Sequence, residues 1–498
     1  MRKSALAIPD TNALRSLNKE ALIELVIELL ENRDSLDQRY KALLKKIYGR
    51  SSERLSAPEE QLLLDFMNGQ EPLEQAEEPQ VSYRKKAKKK ANKRLPIPGD
   101  IPRHEEIHEP GELPEGARKI GEEVTEVLAY KPPEVFVRKI VRPKYVTPEE
   151  EFVTAELKLP LPKSNADASL LAQLLVSKFV DHLPFHRQVQ IFRRLNIRIA
   201  ASTVDNWQAS SCRLLEPLYR KLAELVQQAS YIMADETTIG VLRSGEQKGK
   251  KAFQGYHWVY YAPFIRLALF EYQPGRHKEY PEAFLASFQG ILQTDAYGGY
   301  DQFGKKEGIT MLACWAHARR KFHDALGNDG IRARHALELI QRLYGVERQA
   351  KEKKLSPKDR QMLREEKARP VLKELKQWLD EQAGQVLPKS KIREAIGYVL
   401  NLWPKLEAYV KHGQSEIDNN WVENSIRPVA LGRKNYLFAG SHQGAQRAAM
   451  LYSFFASCKM SEVNPYEWLK DVLDRMQEHP INQIELLLPH LWRPAGEI

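Results

Sequence analysis

Between residues 229 and 326, β-prone runs and helical stretches follow one another in an order that few architectures accept. No other feature of the chain is as restrictive. Residues 231–234, 256–262 and 266–272 are short apolar and aromatic runs bounded by turn-forming residues, which reads as three consecutive strands. A helix around 279–288 follows, then a strand closing on Asp295, then a strand over 309–315 that passes into a helix from Ala316. Three strands followed by alternating helices and strands predict a mixed sheet with helices on both sides. Past 326 the strand signals stop. Residues 327–414 are charged and helical, an expected all-α insertion, and the core is expected to resume over 415–460 with helices at 419–427 and about 443–458.

That order is the order of an RNase H-like fold, in which the first and fourth strands lie side by side. Asp235 ends the apolar run from Ser230, and Asp295 ends the run from Ile291, so the two carboxylates are expected at one sheet edge. Glu423 lies in Asp418-Asn-Asn-Trp-Val-Glu-Asn-Ser-Ile-Arg-Pro428, read as a short helix with Asp418 as its N-cap. Its Asn-Asn-x-x-Glu spacing selects Glu423 over Glu416 or Asp418. Two strand-borne aspartates and a helix-borne glutamate suit a pair of Mg²⁺ ions, with Mn²⁺ able to substitute, because hard cations prefer oxygen ligands. Such a pair makes a phosphodiester open to attack by water or a hydroxyl. Glu236 is expected on the opposite strand face, by alternation. Asn420, Glu423 and Arg427 share one helix face, and Arg427 reads either as a phosphate clamp or as an ion-pair partner of Glu423.

The net charge of +10 favours a polyanionic partner, double-stranded DNA in particular. Three distant cysteines, Cys212, Cys314 and Cys458, argue against a disulfide framework or a Cys-rich zinc module. No apolar run approaches the roughly 18 residues of a membrane span, so no membrane partner and a cytoplasmic setting are expected, nucleoid-associated when DNA is bound.

The rest of the chain divides into further expected units. Residues 1–50 hold a leucine-zipper-like helix with Leu22, Leu29, Leu36 and Leu43 at heptad spacing, suited to a homo-oligomer, or else an amphipathic helix packed on its own chain. Residues 51–103 are a linker with a basic arm, Arg84, Lys85, Lys86, Lys88, Lys89 and Lys90 among its charges, fitted to phosphate contact or simply solvated. Residues 104–160 read as a small β subdomain, in which 135–142 is a β-prone piece. Residues 165–226 are helical, with a helix over 183–195, a turn at Asn196, and a second helix from about Ala201 with Ser202 as N-cap. That outline matches a helix-turn-helix presenting Ser202, Thr203 and Asn206 to DNA, although ordinary helical hairpins share it. Arg319 and Arg320, and the basic and aromatic stretch with Arg433 and Lys434, are further candidates for DNA contact. His317 and Asn420 are candidates for active-site support, and one Cys with one His makes only half a zinc site. Residues 461–498 form a helical tail.

Several segments together resemble the DDE transposases of the insertion-sequence 66 family. They are Tyr48-Gly-Arg-Ser-Ser-Glu-Arg-Leu55, Ile120-Gly-Glu-Glu-Val124 with Arg142-Pro-Lys-Tyr145, Met233-Ala-Asp-Glu-Thr237, Thr294-Asp-Ala-Tyr-Gly-Gly-Tyr300, Cys314-Trp-Ala-His-Ala-Arg-Arg-Lys-Phe322, and the stretch from Asp418 through Asn435. The resemblance implies a retroviral-integrase superfamily core, Asp235, Asp295 and Glu423 as the catalytic triad, and dependence on small accessory proteins of the same element. One departure stands out. Where relatives carry a Cys-x-x-Cys element, this chain has Glu112-Leu-Pro-Glu-Gly-Ala-Arg118, so no zinc is expected. A structure-selective nuclease on the same fold and a DNA-binding regulator with a decayed catalytic domain are the rival readings.

Overall fold

In the computed structural model the described residues are 135–142, 144–146, 152–154, 157, 159–162, 164–243, 252–295 and 297–495. The chain divides into two units, 1–138 and 139–498, and every element below lies in the second. The expected zipper, the linker with Arg84, Lys85, Lys86, Lys88, Lys89 and Lys90, and the segment 112–118 lie outside the described residues.

Two short strands, β1 (Lys144–Val146) and β2 (Phe152–Thr154), pair antiparallel with Tyr145 opposite Val153. The β-prone piece 135–142 is exposed and belongs to no strand, contrary to the sequence reading. Strand propensity expresses itself only where a partner strand and a packed face exist.

Helix α1 (Ala168–Phe179) is capped by Asp167, which accepts from the Leu170 N–H. Helix α2 (Phe185–Arg194) ends in a turn where Asn196 takes φ 61°, and α3 (Ala201–Gln227) follows. Ser202 is not the N-cap. The extended residue is Ala200, without a side-chain cap, and the chain is already helical at 201, so Ser202 stands exposed in the first turn. The second half of α3 buries Leu215, Leu218, Leu222 and Val226, whose spacing by three and four makes one apolar stripe.

The sheet begins with β3 (Tyr231–Val241), β4 (Phe253–Ala262) and β5 (Leu267–Gln273), an antiparallel meander. After α4 (Glu279–Phe284) come β6 (Gly290–Thr294) and β7 (Ile309–Ala313), both parallel to β3. The strand order is β5-β4-β3-β6-β7, so the first and fourth strands are neighbours. β3 does not stop at Asp235. Its ladder with β4 continues through Asp235↔Val259 and Glu236↔Trp258 to Val241.

Helix α5 (Trp315–Ala325) leaves β7 directly, and α6 (Gly330–Glu352), α7 (Pro357–Leu363), a π-helical turn (Arg364–Ala368), α8 (Arg369–Ala383), α9 (Lys391–Asn401) and α10 (Trp403–Glu407) follow without a strand among them. Then α11 (Asn420–Tyr436) leads through β8 (Phe438–Ala439) to α12 (His442–Met460) and α13 (Pro465–Arg475). α11 runs through Pro428 rather than ending before it. The carbonyl that loses its donor there belongs to Asn424, an exposed residue that water can serve.

The edge strand β5 is covered by α12. Ser457 Oγ accepts from the Ala268 N–H at 3.1 Å and Ser453 Oγ from the Phe270 N–H at 2.7 Å, so two edge amides are satisfied by side chains rather than left open to another strand. Among the described residues no helix is long and apolar enough to cross a membrane.

Candidate active site

The side of β3 facing β6 is laddered only at its two ends. Tyr231 to Ala234 pair with β6, and Gly240 and Val241 pair with β8. Between them the backbone needs other partners, because buried peptide groups are rarely left unpaired. α11 supplies them. Asn419, the fully buried residue before the helix, donates through Nδ2 to the Ala234 carbonyl at 3.1 Å. Arg433, about four turns on, donates to the Thr238 carbonyl and, at 2.6 Å, to Thr238 Oγ1. α11 is thereby pinned across the open edge where Asp235 sits.

Asp235, Glu236 and Asp295 each offer a carboxylate oxygen within 4.8 Å of the others. Asp235 reaches this point from β3, and Asp295 lies one residue beyond β6, held by the Tyr297 N–H at 2.9 Å. Glu236, expected on the opposite strand face from Asp235, nonetheless brings a carboxylate oxygen into this group. Arg276 pairs with Glu236 from the outer side, and the Tyr300 hydroxyl donates to it at 3.5 Å. Its position beside Asp235 was the only signal in the sequence.

Burial, and then the charges of Glu236 and Asp295, push the Asp235 carboxyl well above its usual range, with Glu423 adding to the effect. Burial and the charge of Asp295 raise Glu236 to about 7 against the pull of Arg276. Three crowded carboxylates cannot all ionise cheaply without a counter-charge. An all-oxygen donor set of this kind fits a hard divalent cation such as Mg²⁺.

Glu423 lies outside that close group. It occupies the first turn of α11, half-buried, within electrostatic reach of Asp235. Its Oε1 is 3.8 Å from His317 Nε2, and the pair also lies close to Cys314. Cys314 is buried at the start of α5 and accepts from the Asn419 N–H at 3.2 Å, while burial raises its thiol strongly. It serves as a structural acceptor between two helix starts, not as a ready thiolate. Asp418 is not the cap of α11; Asn419 is, and Asp418 instead accepts from Asn420 N, from Asn420 Nδ2 and from the Tyr344 hydroxyl.

The other candidates are scattered. Arg427 and Lys434 are exposed on α11, whereas Arg433 is turned inward to Thr238. Arg320 is exposed and Arg319 half-buried on α5; Ser202 and Asn206 are exposed and Thr203 half-buried on α3.

Comparison with known proteins agrees along the chain. The family model described as "Transposase IS66 family" matches residues 163–447, "IS66 C-terminal element" matches 453–490, and "Transposase C of IS166 homeodomain" matches 35–105. Among curated proteins, the chain is similar to three from Sinorhizobium fredii (strain NBRC 101917 / NGR234), each named an uncharacterized protein. Identity to y4hP is 31% over 93% of this chain and 89% of the relative. For y4jD it is 33% over 80% and 81%, and for y4qI 32% over 91% and 88%. No solved structure matches.

Proposed function

The chain belongs to the IS66 transposase family, and from that premise we propose that it binds the terminal inverted repeats of its element, cleaves the 3′ ends by hydrolysis, and joins the freed 3′-OH groups to target DNA. The observation that supports this reading is the close approach of Asp235, on β3, and Asp295, just past the parallel strand β6, with Glu423 within electrostatic reach of Asp235 on a helix pinned across the open edge of β3. The strand order supports an RNase H-like core of the retroviral-integrase superfamily.

Asp235, Asp295 and Glu423 would hold a pair of Mg²⁺ ions, with Mn²⁺ able to replace them. When bound, such a pair activates the attacking oxygen and stabilises the leaving oxygen of an in-line displacement at phosphorus. The chain's own residues do the rest. Asn419 and Arg433 set the position of α11, and His317 steadies the Glu423 carboxylate. Arg276 keeps Glu236 charge-balanced at the rim, and the exposed Arg427 and Lys434 meet the DNA backbone. α2, the Asn196 turn and the start of α3 support a helix-turn-helix reading, with Ser202 and Asn206 toward the groove. The basic arm, a zipper-mediated homo-oligomer, accessory proteins of the element and a place on the bacterial nucleoid complete the proposal.

The test is Asp295→Asn in the full chain. Mg²⁺-dependent cleavage of terminal-repeat DNA should disappear while repeat binding stays within about twofold. Retained cleavage sinks the assignment. Supplying pre-cleaved 3′-OH ends and a target plasmid separates the wild type from a simple nuclease, which joins nothing.

A further inference from the structure

Glu423 is the acid that the sheet does not hold directly, so something else must decide where α11 begins. The segment 409–419 that delivers it is a strap bonded on both sides. On the sheet side, Glu416 N donates to the Tyr231 hydroxyl at 3.1 Å and Glu416 O accepts from Gln293 Nε2 at 3.1 Å. Ile417 O accepts from Trp315 N, and Asn419 reaches Ala234 and Cys314. Tyr231 lies on β3 upstream of Asp235, and Gln293 lies on β6 two residues before Asp295.

On the helical side the strap is gripped by two arginines. Arg364 is fully buried in the π-helical turn between α7 and α8. Its guanidinium donates to both oxygens of Glu347, at 2.8 Å each, and to the carbonyls of Tyr409, His412 and Ser415 at 2.9, 2.7 and 2.8 Å. Arg360, one turn earlier on α7, bridges Glu347 at 2.6 Å to Glu416 at 2.9 Å. Two forked cations and two carboxylates thus run unbroken from α6 to the strap. A π turn is an uncommon helix defect, and here it sits at the residue from which the guanidinium spans all three carbonyls.

We propose that this Arg364–Glu347–Arg360–Glu416 network is a positioning device. It couples the helical segment α6–α8 to the placement of Glu423 against Asp235 and Asp295, and so to divalent-cation affinity and to the cleavage step. The inference rests on the metal-dependent reading above for its consequence, but its mechanical half stands without it. Residues that orient metal ligands from behind commonly change metal affinity or activity by about 10–100-fold when replaced.

Arg360→Met is the informative change. It cuts Glu416 from Glu347 while leaving the buried Arg364–Glu347 pair whole, and Glu416, a quarter exposed, can be hydrated. Glu416→Gln tests the same link from the other end with smaller risk to folding. Arg342→Met, which removes an exposed pair with Glu374 between α6 and α8, is the control. Three measurements are made on the full chain.

Amide hydrogen exchange should show faster exchange at Glu416, Asn419 and Asn420 in both test variants and not in the control. Unchanged protection overturns the mechanical half, whatever the chain's activity. The rise of Tm with Mn²⁺ should need about tenfold more metal in both. Cleavage should lose about 10–100-fold in kcat with repeat binding and KM held within twofold, and Arg360→Lys should recover part of it. Wild-type metal response in variants whose strap exchanges faster overturns the catalytic half. If the wild type itself neither responds to metal nor cleaves, the proposed function fails instead, while the exchange result still decides the strap.

Discussion

Asn419→Ala isolates the clamp between α11 and β3. The residue is fully buried, and its Nδ2 is the donor for the Ala234 carbonyl, itself buried one residue before Asp235. Removing the amide strands that carbonyl, a loss of about 1–3 kcal/mol for a buried acceptor without a partner. Part returns, because Asn419 Oδ1 is buried with no partner among the described residues and its desolvation is already a cost in the wild type. The net expectation is about 1–2 kcal/mol, read as a Tm drop of about 1–3 °C for a unit spanning 139–498. The backbone bond from Asn419 N to Cys314 survives, so the helix start loosens without detaching. Asn419→Asp keeps the volume but removes the donor and adds an anion beside crowded carboxylates, so it should cost more than Ala. Thermal unfolding of the three proteins at pH 7.5 without metal gives the ranking, and Mg²⁺-dependent cleavage should fall further than repeat binding in both. A volume-only account ranks Ala below Asp in stability. Finding that order, or an Ala variant within 0.5 °C of wild type, refutes the hydrogen-bond reasoning.

Two other expectations concern the core. His257 is fully buried in β4, neither ring nitrogen has a hydrogen-bond partner among the described residues, and burial, helped by the charge of Arg433, lowers its pKa to about 3. Because the folded pKa lies below the unfolded one, its contribution is complete above about pH 6.5 and is lost as pH falls toward 3, by about 1.4 kcal/mol per unit. His257→Leu should lack that share of the acid slope in chemical denaturation between pH 6.5 and 4, and a slope equal to wild type contradicts the assignment. Ser453→Ala withdraws the acceptor for the Phe270 amide at 2.7 Å on the edge strand β5. A loss of about 1–3 kcal/mol and faster exchange of that amide are expected, and an unchanged amide counts against helix α12 as the edge cover.

Asp235 and Asp295 could be picked out because an acid closing an apolar run leaves a local trace, and the order of the runs placed those strands side by side. Glu423 came from a spacing of amides and a carboxylate on a short helix. The local patterns failed where a partner distant in sequence decided the matter. Asp235 looked like a strand end until β4 extended the ladder beyond it. Glu236 was expected on the face away from Asp235, yet its carboxylate comes within 4.8 Å of those of Asp235 and Asp295. Ser202 and Asp418 had the right chemistry for caps, but Ala200 and Asn419 hold the cap positions because packing chose where each helix starts.

What the sequence determined alone was the alternation of strands and helices, the acids that close two of those runs, and the basic balance of the chain, all properties written within a few residues of one another. Only the tertiary structure decided that Asn419 and Arg433 satisfy the open edge of β3, and that four charged residues between 347 and 416 grip the strap ahead of Glu423. The physical reason is one of range. Hydrophobic period and turn chemistry act between near neighbours, whereas a buried carbonyl or guanidinium takes whichever partner the packed chain brings to it, and here those partners lie up to 195 positions away.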